Sequence, residues 1–473
     1  GEGVLNLSAA HNMAIGGHLT AGLLNLDAGG DVSLKTQVGT MNIELRDGAD
    51  LRIEQGAAGA ASADLVIDTL VMSGGAVDIV ADGNVIINSV TGSLGQLNIT
   101  TTGGNVWVRS MADGGDVRIE ATGAVVLGSR MAASGPADTT IEADTLSVKA
   151  GAEITVFEAD GADINQIWST SQSRITVLAG GDLALNADIS TSGHAIDLRT
   201  SVGALTLNGV LSSGGGAVSL QAASGVAMTE LSGVTTQGGT VVVDAGDAAL
   251  QMAKFAVIDA SGGALRLAAG GVMTLGTVKT SYAGVVDIVA GGIAGQAASD
   301  VDIWAPNAEL VLVSSAGVGS AATPLSTQVK TLDVVNTGSG DIVIEQVGDA
   351  LVKQLRQDGV GELDLRTLGG DIVVSDMGVQ TGIGAVSLYA GAGAVVLHQD
   401  VRTQGGAVTV VAEVGDISLG GGIRVIGGQD GGGQDLATGD ISLEALQGSI
   451  VLTPEASHWV SGDPGLSGVF ESN

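Results

Sequence analysis

The sequence predicts an all-β solenoid, a parallel β-helix. Three observations predict it: a fixed period, an alternation within each period, and glycine at the corners. All three are plainest between Gly214 and Leu275. Gly214-Gly215-Gly216 precedes Ala217-Val218-Ser219-Leu220, Gly238-Gly239 precedes Thr240-Val241-Val242-Val243, and Gly262-Gly263 precedes Ala264-Leu265-Arg266-Leu267. Val218, Val241 and Leu265 lie 23 and 24 positions apart. A second apolar run follows each first one, at Val226/Met228, Ala248/Leu250 and Met273/Leu275. A third, weaker run follows at Val234, Ile258 and Val278. Each unit thus holds three short β runs between Gly-rich corners.

A period in this range marks units that cannot bury their apolar face alone and must stack on neighbours. Alternation of apolar and polar residues places one set inward and the other in water. Glycine supplies the backbone angles that tight corners need. At about 22 residues per coil the 473 residues make roughly 20 coils. The alignment puts Val241 inward, between Val218 and Leu265 of adjacent coils.

Taken in order, residues 1–130 carry runs such as Leu23-Leu24-Asn25-Leu26, Met41-Asn42-Ile43-Glu44-Leu45, Ala76-Val77-Asp78-Ile79-Val80 and Asp116-Val117-Arg118-Ile119. Many follow Gly-Gly or Asp-Gly, which is turn chemistry. No long segment carries a 3.6-residue apolar stripe, so no sizeable helix is expected. The chain reads as one continuous β-helix over residues 1–453, interrupted by loop excursions at 129–139, 160–173, 293–307, 316–328 and 427–438. The apolar spacing of Ile164, Ile167 and Trp168 permits one helical turn. Residues 454–473 read as a cap or linker.

Composition narrows the function. With 51 acidic and 18 basic residues the net charge is −33. That disfavours nucleic acid, whose phosphates need Lys and Arg, and anionic membrane surfaces. It keeps an elongated protein dispersed. Zero Cys excludes thiolate metal sites, Cys nucleophiles and disulfide frameworks. No apolar run reaches the ~18 residues of a membrane span. The chain opens directly on repeat, without initiator Met or signal-peptide core, so it reads as a mature fragment of a longer protein.

Motifs that could carry chemistry are sparse. Gly-Gly-Asp corners at Asp31, Asp116, Asp182 and Asp371 suggest calcium. The tandem nonapeptide that would surround an ion is absent. The expectation is a turn in which Asp bonds nearby backbone N–H groups, with weak calcium binding as the remaining reading. Gly317-Val318-Gly319-Ser320-Ala321-Ala322 matches a dinucleotide fingerprint, but no helical pattern follows. His11, His18, His194, His398 and His458 have no ligand spacing. Asp300/Asp302, Asp430/Asp435 and Asp358/Glu362/Asp364 are candidate acid–base sets, since glycoside hydrolysis uses two carboxylates roughly 5 to 9.5 Å apart. Nine scattered aromatics offer no obvious sugar-binding cleft. Of the four Trp, three (Trp168, Trp304 and Trp459) fall in or beside the irregular stretches, as packing anchors or contact residues. No catalytic, cofactor-binding or metal-binding residue is assigned.

Runs such as Ala179-Gly180-Gly181-Asp182-Leu183-Ala184-Leu185, Val414-Gly415-Asp416-Ile417-Ser418-Leu419 and Thr438-Gly439-Asp440-Ile441-Ser442-Leu443 resemble the repeats of filamentous-haemagglutinin-like large bacterial exoproteins and adhesins. The resemblance covers nearly the whole chain. It implies a right-handed parallel β-helix, export to the bacterial surface, and adhesion or scaffolding with no catalytic residues. The family's N-terminal secretion signature is absent. The expected function is a non-enzymatic extracellular β-helical rod, a segment of a surface adhesin. It would contact a host or neighbouring cell surface, matrix or other copies of itself, and use no cofactor. A self-stacking filament subunit is the runner-up, and a polysaccharide-active β-helix enzyme the third reading.

Overall fold

The computed structural model describes residues 3–56, 64–128, 140–296, 301–427 and 439–452, and the backbone of 459–461. Two compact units, Gly1–Ser224 and Gly225–Asn473, divide the chain. Each is parallel β-solenoid, with about 18 turns in all at a spacing of about 22 residues. No helix occurs among the described residues. A full coil such as Ile196–Thr200, Leu205–Leu207, Val210–Ser212 carries the three short strands that the period implies.

Each strand pairs in parallel with its equivalent one coil on. Inward residues therefore stack on inward residues. In the first unit Leu34, Ile53, Ile79, Ile99, Ile119 and Val148 form one column. In the second unit Leu267, Ile288, Leu312, Val334, Leu355, Val379 and Val401 form another. All are buried. Val241 is fully buried and stacks on Leu265, as its place in the period requires. Such columns suit parallel sheets, where branched aliphatics repeat in register.

Coil length is elastic. Leu24 and Met41 pair across 17 residues, and Ile196 and Val218 across 22. The intervals Leu51–Val77, Val117–Leu146 and Val408–Ile441 are 26, 29 and 33. They contain residues 57–63, 129–139 and 428–438, which lie outside the described residues. The excursion expected at 129–139 therefore falls there entirely, and that at 427–438 does so after Gly427, which closes the strand Val425–Gly427. Of the tail at 454–473, only Trp459–Ser461 is described, as a strand paired with Val425–Gly427.

Of the other three excursions the first is corrected outright and the other two in part, since 319–324 holds no strand and 297–300 lies outside the described residues. Residues 160–173 hold the strand Ala162–Ser169, paired on both sides. A register shift leaves Asn165 unpaired between Ile164 and Gln166. That bulge sends Ile164 and Ile167 inward three residues apart, which imitates a helical turn in sequence. Residues 303–307 begin the strand Ile303–Ser314. Pro306 sits where the register shifts between Ala305 and Glu309, a bulge that needs no ladder N–H. In 316–328, Val318 bridges Ile293 and Ile342, and Leu325 opens the strand Leu325–Asn336.

Val241→Asp would bury an unpaired charge and cost several kcal/mol. Val289→Asp, at an outward position 38% exposed, serves as control. Thermal melting should show a large loss for the first and a small one for the second. Equal melting would disprove the inward register.

Candidate functional site

The Gly-Asp corners hold the coils together. Asp31 Oδ1 accepts the Asp50 N–H (3.1 Å), Asp182 Oδ1 the Ala204 N–H (2.8 Å) and Asp371 Oδ1 the Ala394 N–H (2.7 Å). The donor lies one coil on, so the expected bond to a nearby N–H is corrected. The pegs form series: Asn12 accepts from Asp31, Asp31 from Asp50, and Asp50 from Ala76. Asp64, Asn84 and Asn105 do the same up to Ala124. The preceding glycine makes room. A Cβ on Gly30 would stand 2.3 Å from Asn12 Oδ1, and one on Gly123 2.2 Å from Asn105 Oδ1. Asp116, the fourth corner, instead accepts the Thr145 hydroxyl at 2.6 Å.

A second corner device was not read from the sequence. The hydroxyls of Thr200, Ser213, Thr236, Thr367, Thr381 and Thr403 donate to the carbonyls of Gly203, Gly216, Gly239, Gly370, Gly384 and Gly406. The signal was present as S/T-x-x-G ahead of the strands. It satisfies a backbone acceptor that would otherwise be buried at the bend.

Two outward faces gather polar groups. In the first unit an open groove of about 370 Å³ runs over the strands Val4–Ala9, Leu23–Ala28, Thr40–Leu45 and Leu65–Ser73. Its floor is an amide ladder. Asn25 Nδ2 donates to Asn6 Oδ1 (2.7 Å), Asn42 Nδ2 to Asn25 Oδ1 (3.0 Å), and Thr69 Oγ1 to Asn42 Oδ1 (3.0 Å). Asp27 and Glu44 stand beside it, both paired with Arg46 at 3.0 Å. In the second unit Lys353 Nζ meets Glu309 Oε2 at 2.8 Å, two coils away in sequence. That hydrogen bond first, and the charges of Glu309, Asp376 and Asp333 besides, push the ammonium's pKa up. Burial, then Glu309, pushes the Asp333 carboxyl up. Opposite charges 44 residues apart were the available signal.

Of the carboxylate sets expected from sequence, only Asp358/Glu362/Asp364 lies wholly within the described residues. Asp358 pairs with Arg356 and Asp364 with Arg366, each along its own strand. Glu362 donates its N–H to Asp341 Oδ1, as a recipient of a corner peg. Asp302 is buried, and Asp300, Asp430 and Asp435 lie outside the described residues. His11, His18, His194 and His398 are exposed, and His458 lies outside the described residues. Among the described residues no group of three or more His, Asp or Glu is placed to hold a metal. Gly317–Ala322 leads into a bridge and a strand, with no helix N-terminus for a phosphate. Trp107 stacks between Ile86 and Val126. Trp168 and Trp304 lie on strands, exposed, with Lys149 Nζ 5.5 Å from the Trp168 ring centroid.

Among the described residues two carboxyls are buried. Asp302 is pushed up to about 6 by burial, against N–H donors from Ser326 (2.9 Å) and Gln296 (3.3 Å). Glu158, 3% exposed, is pushed up to about 9 by burial and by Asp160, against the N–H of Ala143 at 3.0 Å. Its Oε2 is buried with no hydrogen-bond partner. The folded state keeps the Glu158 proton while the unfolded chain loses it above about 4.5. Stability therefore falls as pH rises from about 4.5 to about 9. Glu158→Gln should be more stable than the parent in denaturant melts at pH 8, and the gap should close towards pH 4.5. A gap independent of pH would refute the buried-acid assignment.

Asp371→Ala should cost about 1 kcal/mol, while Asp371→Asn keeps the acceptor and most of the stability. Chelator should leave the melting temperature of the parent unchanged. A large drop would mean that ions bridge the corners. Comparison with protein-family models, curated proteins and solved structures found no match for this chain.

Proposed function

We propose that this chain is a non-enzymatic segment of a large bacterial surface adhesin or fibre, extracellular and akin to the filamentous-haemagglutinin-like exoproteins. The observation that carries this reading is where the polar side chains spend their bonds. Corner Asp and Asn residues bond the next coil's backbone, and outward arginines pair two residues along a strand, as Arg199 does with Asp197 and Arg402 with Asp400. Exposed pairs of this kind add little stability but hold each face in one arrangement. A scaffold that grows by adding coils suits display and reach, and its acidic faces resist non-specific clumping.

A second reading, action on a polysaccharide, draws on the Glu309–Asp333–Lys353–Asp376 cluster alone. There a carboxyl raised by burial stands near a second carboxylate, the pairing that separates acid from base roles. Turnover of acidic polysaccharides by the parent, lost in Asp333→Asn, would favour it.

The adhesin reading is tested with beads coated with the chain and offered to host cells and matrix proteins. Attachment should exceed that of beads carrying an unrelated protein of similar acidity, and soluble chain should compete it away. Equal attachment by both bead types would make this segment a spacer.

A further inference from the structure

In the second unit two neighbouring coils carry the same hydrogen-bonded turn at the same corner. It follows the strand Val226–Met228 in one coil and Leu250–Met252 in the next. The Ser232 N–H donates to the Thr229 carbonyl at 3.0 Å, and the Ala256 N–H to the Ala253 carbonyl at 3.0 Å. Bonds of this span leave Glu230-Leu231 and Lys254-Phe255 at the two tips. Turn tips ordinarily carry Gly, Pro, Asn, Asp or Ser, each for a backbone reason. A large apolar residue at the second tip position serves no such purpose, and here it occurs twice. Leu231 is 85% exposed, the highest value of any large apolar side chain among the described residues, and Phe255 is 59% exposed.

The two turns are held in register. Strands pair in parallel on both sides of them, Val226–Met228 with Leu250–Met252 before and Gly233–Thr235 with Val257–Asp259 after. The tips therefore stand one strand spacing apart, about 4.8 Å. In the following coil Gly276 alone takes the place of Ala253–Ala256. A Cβ on Gly276 would meet the Ala256 carbonyl oxygen at 2.4 Å and that of Ala253 at 2.7 Å. That coil passes against the base of the turn, and Phe255 stands proud of it.

The tips carry opposite charges. Glu230 and Lys254 occupy the same turn position and are exposed, and among the described residues neither enters an ion pair within the chain. Such a pair of tips complements itself. A half-turn about an axis lying across the two coils exchanges the rungs and keeps each tip position opposite its equivalent. Charge then meets opposite charge, and apolar meets apolar. A two-fold axis along the coil axis would instead set each charged tip against an apolar one.

We propose that these turns dock a second copy of this chain across a two-fold axis, with the coils of the two copies running in opposite directions. Glu230 meets the partner's Lys254, Lys254 meets the partner's Glu230, and Leu231 packs on the partner's Phe255. The contact is isologous, so it closes at the dimer. It is small and belongs with the weak, transient interfaces. It stands apart from the adhesin reading, since it needs only this corner.

Sedimentation of the full 473-residue chain across a concentration series tests the proposal, in enough salt to screen the −33 charge of each copy. The average mass should rise from monomer towards dimer and stop there. Glu230→Lys and Lys254→Glu each set like charges opposite one another twice, and each should weaken dimerisation by about tenfold or more. Both substitutions together restore the opposite pairs, so the double variant should associate like the parent. An equimolar mixture of the two single variants should also associate, because two lysine tips then face two glutamate tips. Phe255→Ser should abolish the dimer while keeping the parent's circular dichroism, and Leu231→Ser replaces it if folding is disturbed. A parent that stays monomeric overturns the proposal. So does a mass that grows past the dimer, association that survives either single charge variant or the serine variant, or a double variant or mixture that stays monomeric.

Discussion

Parallel strands lie about 4.8 Å apart, and every coil here must meet its neighbours at that distance. No side chain can be placed between two backbones so close. Each inward residue can only rest on the same position of the next coil, so shape must repeat. That is why Ile53, Ile79, Ile99 and Ile119 stand in one column. It is also why Gly370 cannot be exchanged: a Cβ there would fall 2.3 Å from the Gly348 carbonyl carbon. The distance that forbids side chains at the corner lets a short Asp or Asn reach the next backbone.

Inward polar residues obey the same closeness. Asn336 donates to the Gln357 side chain at 2.6 Å, and Gln346 accepts from Thr327 at 2.7 Å and donates to the Val329 carbonyl at 2.7 Å. Stacked amides can serve as donor and acceptor at once, so they replace aliphatic rungs without leaving unsatisfied groups. Glu158 is the contrast. A carboxyl has no second donor, and only by keeping its proton does it remain tolerable inside.

Sequence showed the solenoid because Val218, Val241 and Leu265 obey the strict period, and Val241 is buried on Leu265 as that period requires. It misled where a strand carries a bulge. Asn165 and Pro306 each break the two-residue alternation, so Ala162–Ser169 and the start of Ile303–Ser314 resemble loops. The polar faces were less legible still. Asn6, Asn25 and Asn42 meet only after the chain has turned a full coil, and the interval is 19 at one step and 17 at the next. Lys353 and Glu309 meet across two coils. Local patterns are visible in one dimension, whereas these contacts depend on the summed length of corners between them.

The corner peg has a direction. At Asp31, Asp182, Asp349 and Asp371 the acceptor belongs to the earlier coil and the N–H it receives to the later one, as Asp349, Asp371 and Ala394 show in turn. A segment running from one Gly-Asp corner to the next therefore brings its own acceptor for whatever follows. It also brings the glycine that clears space for whatever precedes. Copying or deleting such a segment leaves both new neighbours with a complete joint. Length can change by duplication in units of one coil, with no compensating change elsewhere, and intervals from 17 to 33 residues show how freely the corners absorb what is inserted between.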